Sequence, residues 1–308
     1  EGQREQELVP RRDEGEQARR HQRRPHQRQK YPHDDGEGPC AVHDGGLLDL
    51  LRQLAQPRAA HIQLLQAAQR AHCAGQPPQP PPAQLQLLVA AAQSAATSSN
   101  LQPWSVVAVT DPARKARLAA LAGNQKQIID APLFLLWIVD HHRLSEIGDQ
   151  LGTPADGLHF LESFLLGAVD TSLAAQNAVV ALESIGLGGC YIGGIRNQPA
   201  AVAAELGLPP RSFALFGLTI GYPDPAARAS VKPRLPQDAV LFRERYGSAD
   251  GPRIPAGYDA RLRSFQREQR MPERDWSEQA SQRVRGIDSL AGRHLLRDVL
   301  HRLGFRLD

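Results

Sequence analysis

From Pro82 onward the sequence predicts one domain of mixed helices and strands, and two observations carry that expectation. Helix-like and strand-like segments alternate along residues 82–223, with Gly, Pro and Asp between them. The composition also changes near residue 80. Six of the eleven histidines and the densest Gln and Arg precede it, and the run GQPPQPPPAQ at 75–84 then separates that stretch from sequence of ordinary composition. Residues 1–80 therefore read as an atypical Arg/Gln/His-rich leader, disordered or mis-framed, as off-frame translations of GC-rich genes tend to be. Residues 81–308 read as the folded domain, with 255–308 as a C-terminal helical extension.

The elements follow in order. Inside the leader, residues 47–54 and 62–65 each have apolar content for a helical turn or two. Residues 83–96 are Ala/Leu-rich and helical. WSVVAVT at 104–110 is β-branched, and Asp111-Pro112 after it opens a helix. PLFLLWIVD at 132–140 is apolar without alternation, the pattern of a strand buried on both faces. Residues 158–185 make a long helix, apolar on most sides and ended by Gly186, which suits a core or subunit-interface position. A short strand then enters GCYIGGIRN, a helix covers 200–206, FALFGLTIGYP is a strand, and charged helices follow Pro255.

Composition excludes several classes. The longest unbroken apolar stretch, Leu133 to Val139, falls far short of the ~20 residues that span a bilayer, so no membrane-spanning protein is expected. The net charge of +3 is small, and its basic excess lies in residues 1–30, where no aromatic residue precedes Tyr31; nucleic acid is not the expected partner. Three scattered cysteines make neither a disulfide scaffold nor a zinc site and point to a reducing, cytoplasmic compartment. No secretory signal is recognisable.

Three segments carry candidate chemistry. Thr97, Ser98 and Ser99, with Asn100 and Gln102, crowd hydroxyls and amides between a helix and a strand, where they either contact a ligand or merely cap and turn the chain. Gly193 and Gly194 in CYIGGIRN allow positive φ and close backbone approach to a ligand; the string lacks the G-x-G-x-x-G order of a dinucleotide fold. In VKPRLP, Lys232 and Arg234 flank a stiffening proline and suit one phosphate, or else form a solvated loop. His141-His142 has no ligand partner at metal spacing, and Cys190 has no local activator. No acid–base pair stands out, which suggests that a cofactor carries the chemistry.

Taken together, the strings ATSSNLQPWSVVAVTD, LAGNQKQIIDAP, GAVDTSLAAQNAVVALESIGLGGCYIGGIRN, LFGLTIGYP, KPRLP and RDWSEQ resemble the NADPH-dependent, oxygen-insensitive nitroreductases and FMN reductases over roughly three quarters of the chain. The resemblance implies an α+β fold, a central, mostly antiparallel sheet flanked by helices, in an intertwined homodimer with FMN at the subunit interface. NADPH would pass hydride to FMN N5, and a nitroaromatic, quinone, free flavin or chromate would take it; no side chain is catalytic and no metal is required. By position, Thr97, Ser98 and Ser99 would meet the flavin and its ribityl chain, and Gln125 would reach the isoalloxazine. Tyr191, Ile192, Gly193 and Gly194 would line the ring, Lys232 and Arg234 would hold the phosphate, and Arg267 would recognise NADPH. Arg263, Arg270 and Arg274 are possible helpers of Arg267 or solvated helix-face charges. One departure stands out: where the family places a His-Arg-Ser-x-x-Arg-like phosphate motif, this chain has Gln69, Arg70, Ala71, His72 and Cys73, of which only Arg70 keeps the character. That loss leaves open a flavin-binding module without turnover.

Overall fold

The computed structural model describes residues 80–224, 230–247, 255 and 257–308. The expected leader, its two apolar patches and the segment 69–73 lie outside the described residues.

The first helix, α1 (Pro82–Gln93), starts with Pro at its first turn, where a missing N–H costs nothing, and buries Leu88 and Ala92 one turn apart. After a short 3₁₀ turn at Ser98–Asn100 comes β1 (Trp104–Val109). Asp111 then caps α2 (Pro112–Leu121), its carboxylate accepting from Arg114 N at 2.6 Å. A five-residue helix, α3 (Lys126–Asp130), leads into β2 (Leu133–Asp140), buried from Leu133 through Val139 as its unbroken apolar run predicts. The next helix, α4 (His142–Leu151), was not expected from the sequence.

The long helix is α5 (Leu161–Ser184). It starts three residues later than expected: a 3₁₀ turn at Asp156–His159 precedes it, and Phe160 is extended at φ −88°, ψ 149°. Gly186, at φ +76°, lets the chain reverse with Leu187 N bonded back to Leu182 O. By length and composition α5 could cross a membrane, with a mean hydropathy of 1.4 over its 18-residue window; half of that window is buried inside the fold. The chain continues through β3 (Gly188–Ile192), a 3₁₀ turn at Gly193–Asn197, α6 (Pro199–Leu206) and β4 (Ser212–Gly221).

The four strands form one sheet in the order β1-β2-β4-β3, antiparallel throughout, with a bulge between Trp137 and Ile138. β2 alternates its side chains between two cores. Leu133, Leu135 and Trp137 pack with α1 and α5; Phe134, Leu136 and Ile138 pack with Leu118, Ile128 and Val202 on the other face. Helices on both faces of an antiparallel sheet are the α+β arrangement expected.

Past Pro255 come α7 (Tyr258–Glu268), α8 (Trp276–Arg283) and α9 (Leu296–Arg302). The C-terminus is held down: Phe305 is buried against His141, Phe164 and Phe213, and Arg211 N donates to Leu303 O at 2.7 Å. His141 is thereby a buried ring held below the usual histidine range by burial, while His142 faces Glu146 on the next turn.

Candidate functional site

The hydroxyl turn is built by a buried carboxylate. Asp170 of α5 accepts from Thr97 Oγ1 at 2.6 Å and from Ser98 N at 3.1 Å, while Thr97 Oγ1 accepts from Gln102 N at 2.9 Å. The Thr97 hydroxyl is thus engaged within the protein, and its task is to shape the turn. Ser99, Asn100 and Gln102 all have left-handed backbones, at φ 48°, 55° and 50°, a conformation costing roughly 1–2 kcal/mol for residues other than glycine. Such strain persists only where the surroundings impose it, as the anchored Thr97 does here. The Ser98 and Ser99 side chains are exposed and have no hydrogen-bond partner among the described residues. Asp170 is the residue that sequence reasoning missed. Its only signal was an acid inside an apolar helix.

At the other segment, Tyr191 is exposed at the end of β3, its ring edge-on to Phe216 with centroids 5.2 Å apart. Partial burial, with the nearby Glu183, pushes its phenol up to about 12. Burial also raises Glu183 itself to about 7 and raises the Cys190 thiol, which disfavours a reactive thiolate there. Ile192 is buried in the second core, so its backbone is what it can offer a ligand.

The glycine pair behaves differently from the expectation. Neither Gly193 nor Gly194 has positive φ; both lie in the 3₁₀ turn. Gly194 is required by close approach to protein, since a Cβ there would stand 2.3 Å from the Ala122 carbonyl oxygen. That approach seats the 193–197 turn on the loop leading to Gln125, and a Cβ on Gly123 would likewise meet Asn197 Nδ2 at 3.2 Å. Gln125 is the N-cap residue of α3, and the buried Lys115 donates its ammonium to Ile129 O and Ala131 O at that helix's far end. Gln125 and the glycine turn therefore lie on neighbouring, closely packed segments.

Lys232 and Arg234 are exposed, and no carboxylate pairs with either among the described residues. Arg234 Nη1 donates to Lys232 O at 3.2 Å, which draws the two ends of the proline loop together, and the loop is fastened to α7 by Tyr258 OH donating to Pro233 O at 2.9 Å. By contrast Arg114, Arg117, Arg143, Arg263 and Arg267 all sit in ion pairs. Arg267 binds Glu273, and that pair raises the guanidinium and holds the carboxyl below its usual range.

The segments do not all converge. The hydroxyl turn precedes β1 and the glycine turn follows β3, the two edge strands of the sheet, separated by three strand spacings or ~14 Å. No hydrogen bond, ion pair or ring contact between described residues links Thr97–Ser99 to Gly193–Gly194 or to the cation loop. One chain thus presents two partial surfaces.

Comparison with known proteins is decisive at this point. Residues 76–222 match the model of the nitroreductase family and residues 232–308 match that family's C-terminal domain. The chain belongs to the nitroreductase family. As a nitroreductase-family member it is an enzyme of the oxidoreductase class. Among curated relatives, a Cr(VI) reductase of Pseudomonas sp. (strain G-1) is 42% identical over 180 residues, 58% of this chain and 72% of that protein. An FMN reductase [NAD(P)H] of Bacillus subtilis (strain 168) is 37% identical over 233 residues, 73% of this chain and 90% of that protein. The solved NADPH:FMN oxidoreductase of Vibrio harveyi, complexed with NAD+, superposes with a TM-score of 0.68 at 31% identity, covering 81% of this chain and 99% of that one. The family match begins at residue 76, after residues 69–73.

Proposed function

We propose that this nitroreductase-family chain is an NADPH-dependent FMN oxidoreductase that reduces a nitroaromatic, quinone, free flavin or chromate in the cytoplasm, as a homodimer. The observation that carries the cofactor is the Lys232–Arg234 loop: two exposed cations with no carboxylate partner among the described residues, pinned to α7 through Pro233, form a ready receptor for a phosphate dianion. The rest of the donor set fits FMN. Ser98 and Ser99 offer exposed hydroxyls, unpartnered among the described residues, to a polyol chain, and Gln125 beside the Gly193–Gly194 turn offers an amide and backbone N–H groups to the polar edge of a flavin ring. Tyr191 supplies an exposed aromatic wall.

When bound, FMN supplies the two-electron chemistry, with N5 as its hydride-accepting atom. The protein's residues position it. Asp170 shapes the hydroxyl turn, Lys115 and Gly194 set the platform for Gln125, and Arg267 is the cation for the NADPH 2′-phosphate. Dimerisation explains why the hydroxyl turn and the glycine turn sit at opposite sheet edges: each would meet the other's counterpart in a second copy. It is supported by an apolar stripe on α5, where Leu161, Leu165, Val169 and Leu173 are exposed at four-residue spacing. The unpaired Cys190 suits a reducing compartment.

The test is the double variant Lys232→Ala/Arg234→Ala. Charge-assisted hydrogen bonds contribute about 1.5–3 kcal/mol each, so FMN affinity should fall by roughly 10²–10⁴-fold and the protein should purify colourless. A double variant that keeps stoichiometric flavin refutes the phosphate site.

A further inference from the structure

The arginine offered to the 2′-phosphate is already occupied. Arg267 Nε donates to Glu273 Oε1 at 3.1 Å and Arg267 Nη2 to Glu273 Oε2 at 2.8 Å, a two-point fork on one edge of the guanidinium. The fold builds this pair. At the end of α7, Arg270 takes φ 54°, and Met271 N bonds back to Gln266 O at 2.8 Å. The buried Gln266 then accepts from Arg274 N through Oε1 at 2.8 Å, and Gln279 Nε2 donates to Arg274 O and Asp275 O, both at 3.1 Å. The reversed segment 271–275 is thus fixed along α7, with Asp275 on Arg263 and Glu273 on Arg267. Asp275 has a second task as the residue before α8; among the described residues Glu273 is held by Arg267 and, more remotely, the charge of Arg263.

We propose that Glu273 is a specificity-determining residue: an internal competitor that occupies the Arg267 edge a 2′-phosphate would take, and so limits the preference for NADPH over NADH. This rests on the assignment of Arg267 to NADPH above. A phosphate monoester presents to a guanidinium the same pair of oxygens as a carboxylate. It must therefore displace Glu273, and it meets the charge of Glu273 afterwards. A nucleotide with a free 2′-hydroxyl makes no such demand on Arg267 and is indifferent to Glu273. Both partners are partly exposed, Arg267 at 68% and Glu273 at 38% of side-chain surface, so the effect is graded rather than all-or-none.

The experiment compares 2′,5′-ADP with 5′-ADP as probes, measured by calorimetry on the full chain, so that turnover plays no part. Glu273→Gln should tighten 2′,5′-ADP by roughly 2- to 5-fold, the scale of an exposed ion pair, and leave 5′-ADP unchanged. Arg267→Ala should abolish the preference for 2′,5′-ADP, and adding Glu273→Gln to it should then change nothing. A preference that Arg267→Ala removes but Glu273→Gln leaves unmoved overturns the competitor role alone. A preference that survives Arg267→Ala overturns the Arg267 assignment and the competitor with it.

Discussion

Glu183 shows how one buried side chain sets a pH response. Burial on α5 raises its carboxyl from 4.5 to about 7, with no partner among the described residues to offset the cost of charging it. Below pH ~4.5 the folded and unfolded chains both hold this proton. Between ~4.5 and ~7 the unfolded chain has released it and the folded chain has not, so stability declines as pH rises through that window, by about 3 kcal/mol at most. Glu183→Gln removes the term. It should raise stability by about 1–3 kcal/mol at pH 8 and by little at pH 4.5, read from urea midpoints at the two pH values. An equal gain at both would show that packing, not ionisation, is responsible. Polar residues of this kind were the least legible part of the sequence. Asp170 was visible only as an interruption in an apolar helix, because its partners Thr97 and Ser98 lie more than seventy residues away. Lys115 reads as one of several charges on α2, and nothing in its spacing tells that it is buried on the end of α3. The hydroxyls, the cation loop and the glycine pair were legible because unusual residue types stand adjacent in the chain.

At the scale of elements, hydrophobic pattern located α1, β1, β2, α5, β3, α6 and β4 to within a few residues. Those segments either alternate, run apolar throughout or end in glycine, and each pattern has a local cause. Two helices were not expected: α3, only five residues long, and α4, which lacks a side-chain N-cap although Leu144, Ile147 and Leu151 fall at helical spacing before the left-handed Gly152. The Gly193–Gly194 turn was found for the wrong reason. Its glycines were expected to supply positive φ beside a ligand, whereas Gly194 makes room for the Ala122 carbonyl. Gly194→Ala should therefore act first on the fold, forcing the 193–197 turn off the Gln125 loop. A loss of about 1–3 kcal/mol is expected, with a fall in Tm of about 2–4 °C for each kcal/mol. An alanine variant with unchanged Tm would mean that the contact yields without cost.

For the whole molecule, the α+β class was implied by resemblance and the antiparallel sheet with helices on both faces agrees with it. The strand order β1-β2-β4-β3 could not be read from the sequence, since strand neighbours are set by long-range packing. That order is what parts the hydroxyl turn from the glycine turn, a separation that the proposed homodimer would bridge with a second copy. The apolar surface of α5 follows the same logic. Its length and composition suit a membrane, yet one side is built into the core and the other carries the Leu161–Leu173 stripe, an arrangement suited to a subunit interface. The central claim is that these surfaces hold a flavin that NADPH reduces. The most direct measurement is the visible spectrum of the purified full chain, before and after anaerobic addition of NADPH. The account predicts a bound flavin whose absorption bleaches stoichiometrically. A flavin that stays oxidised, or a colourless protein that takes up no added FMN, would contradict it.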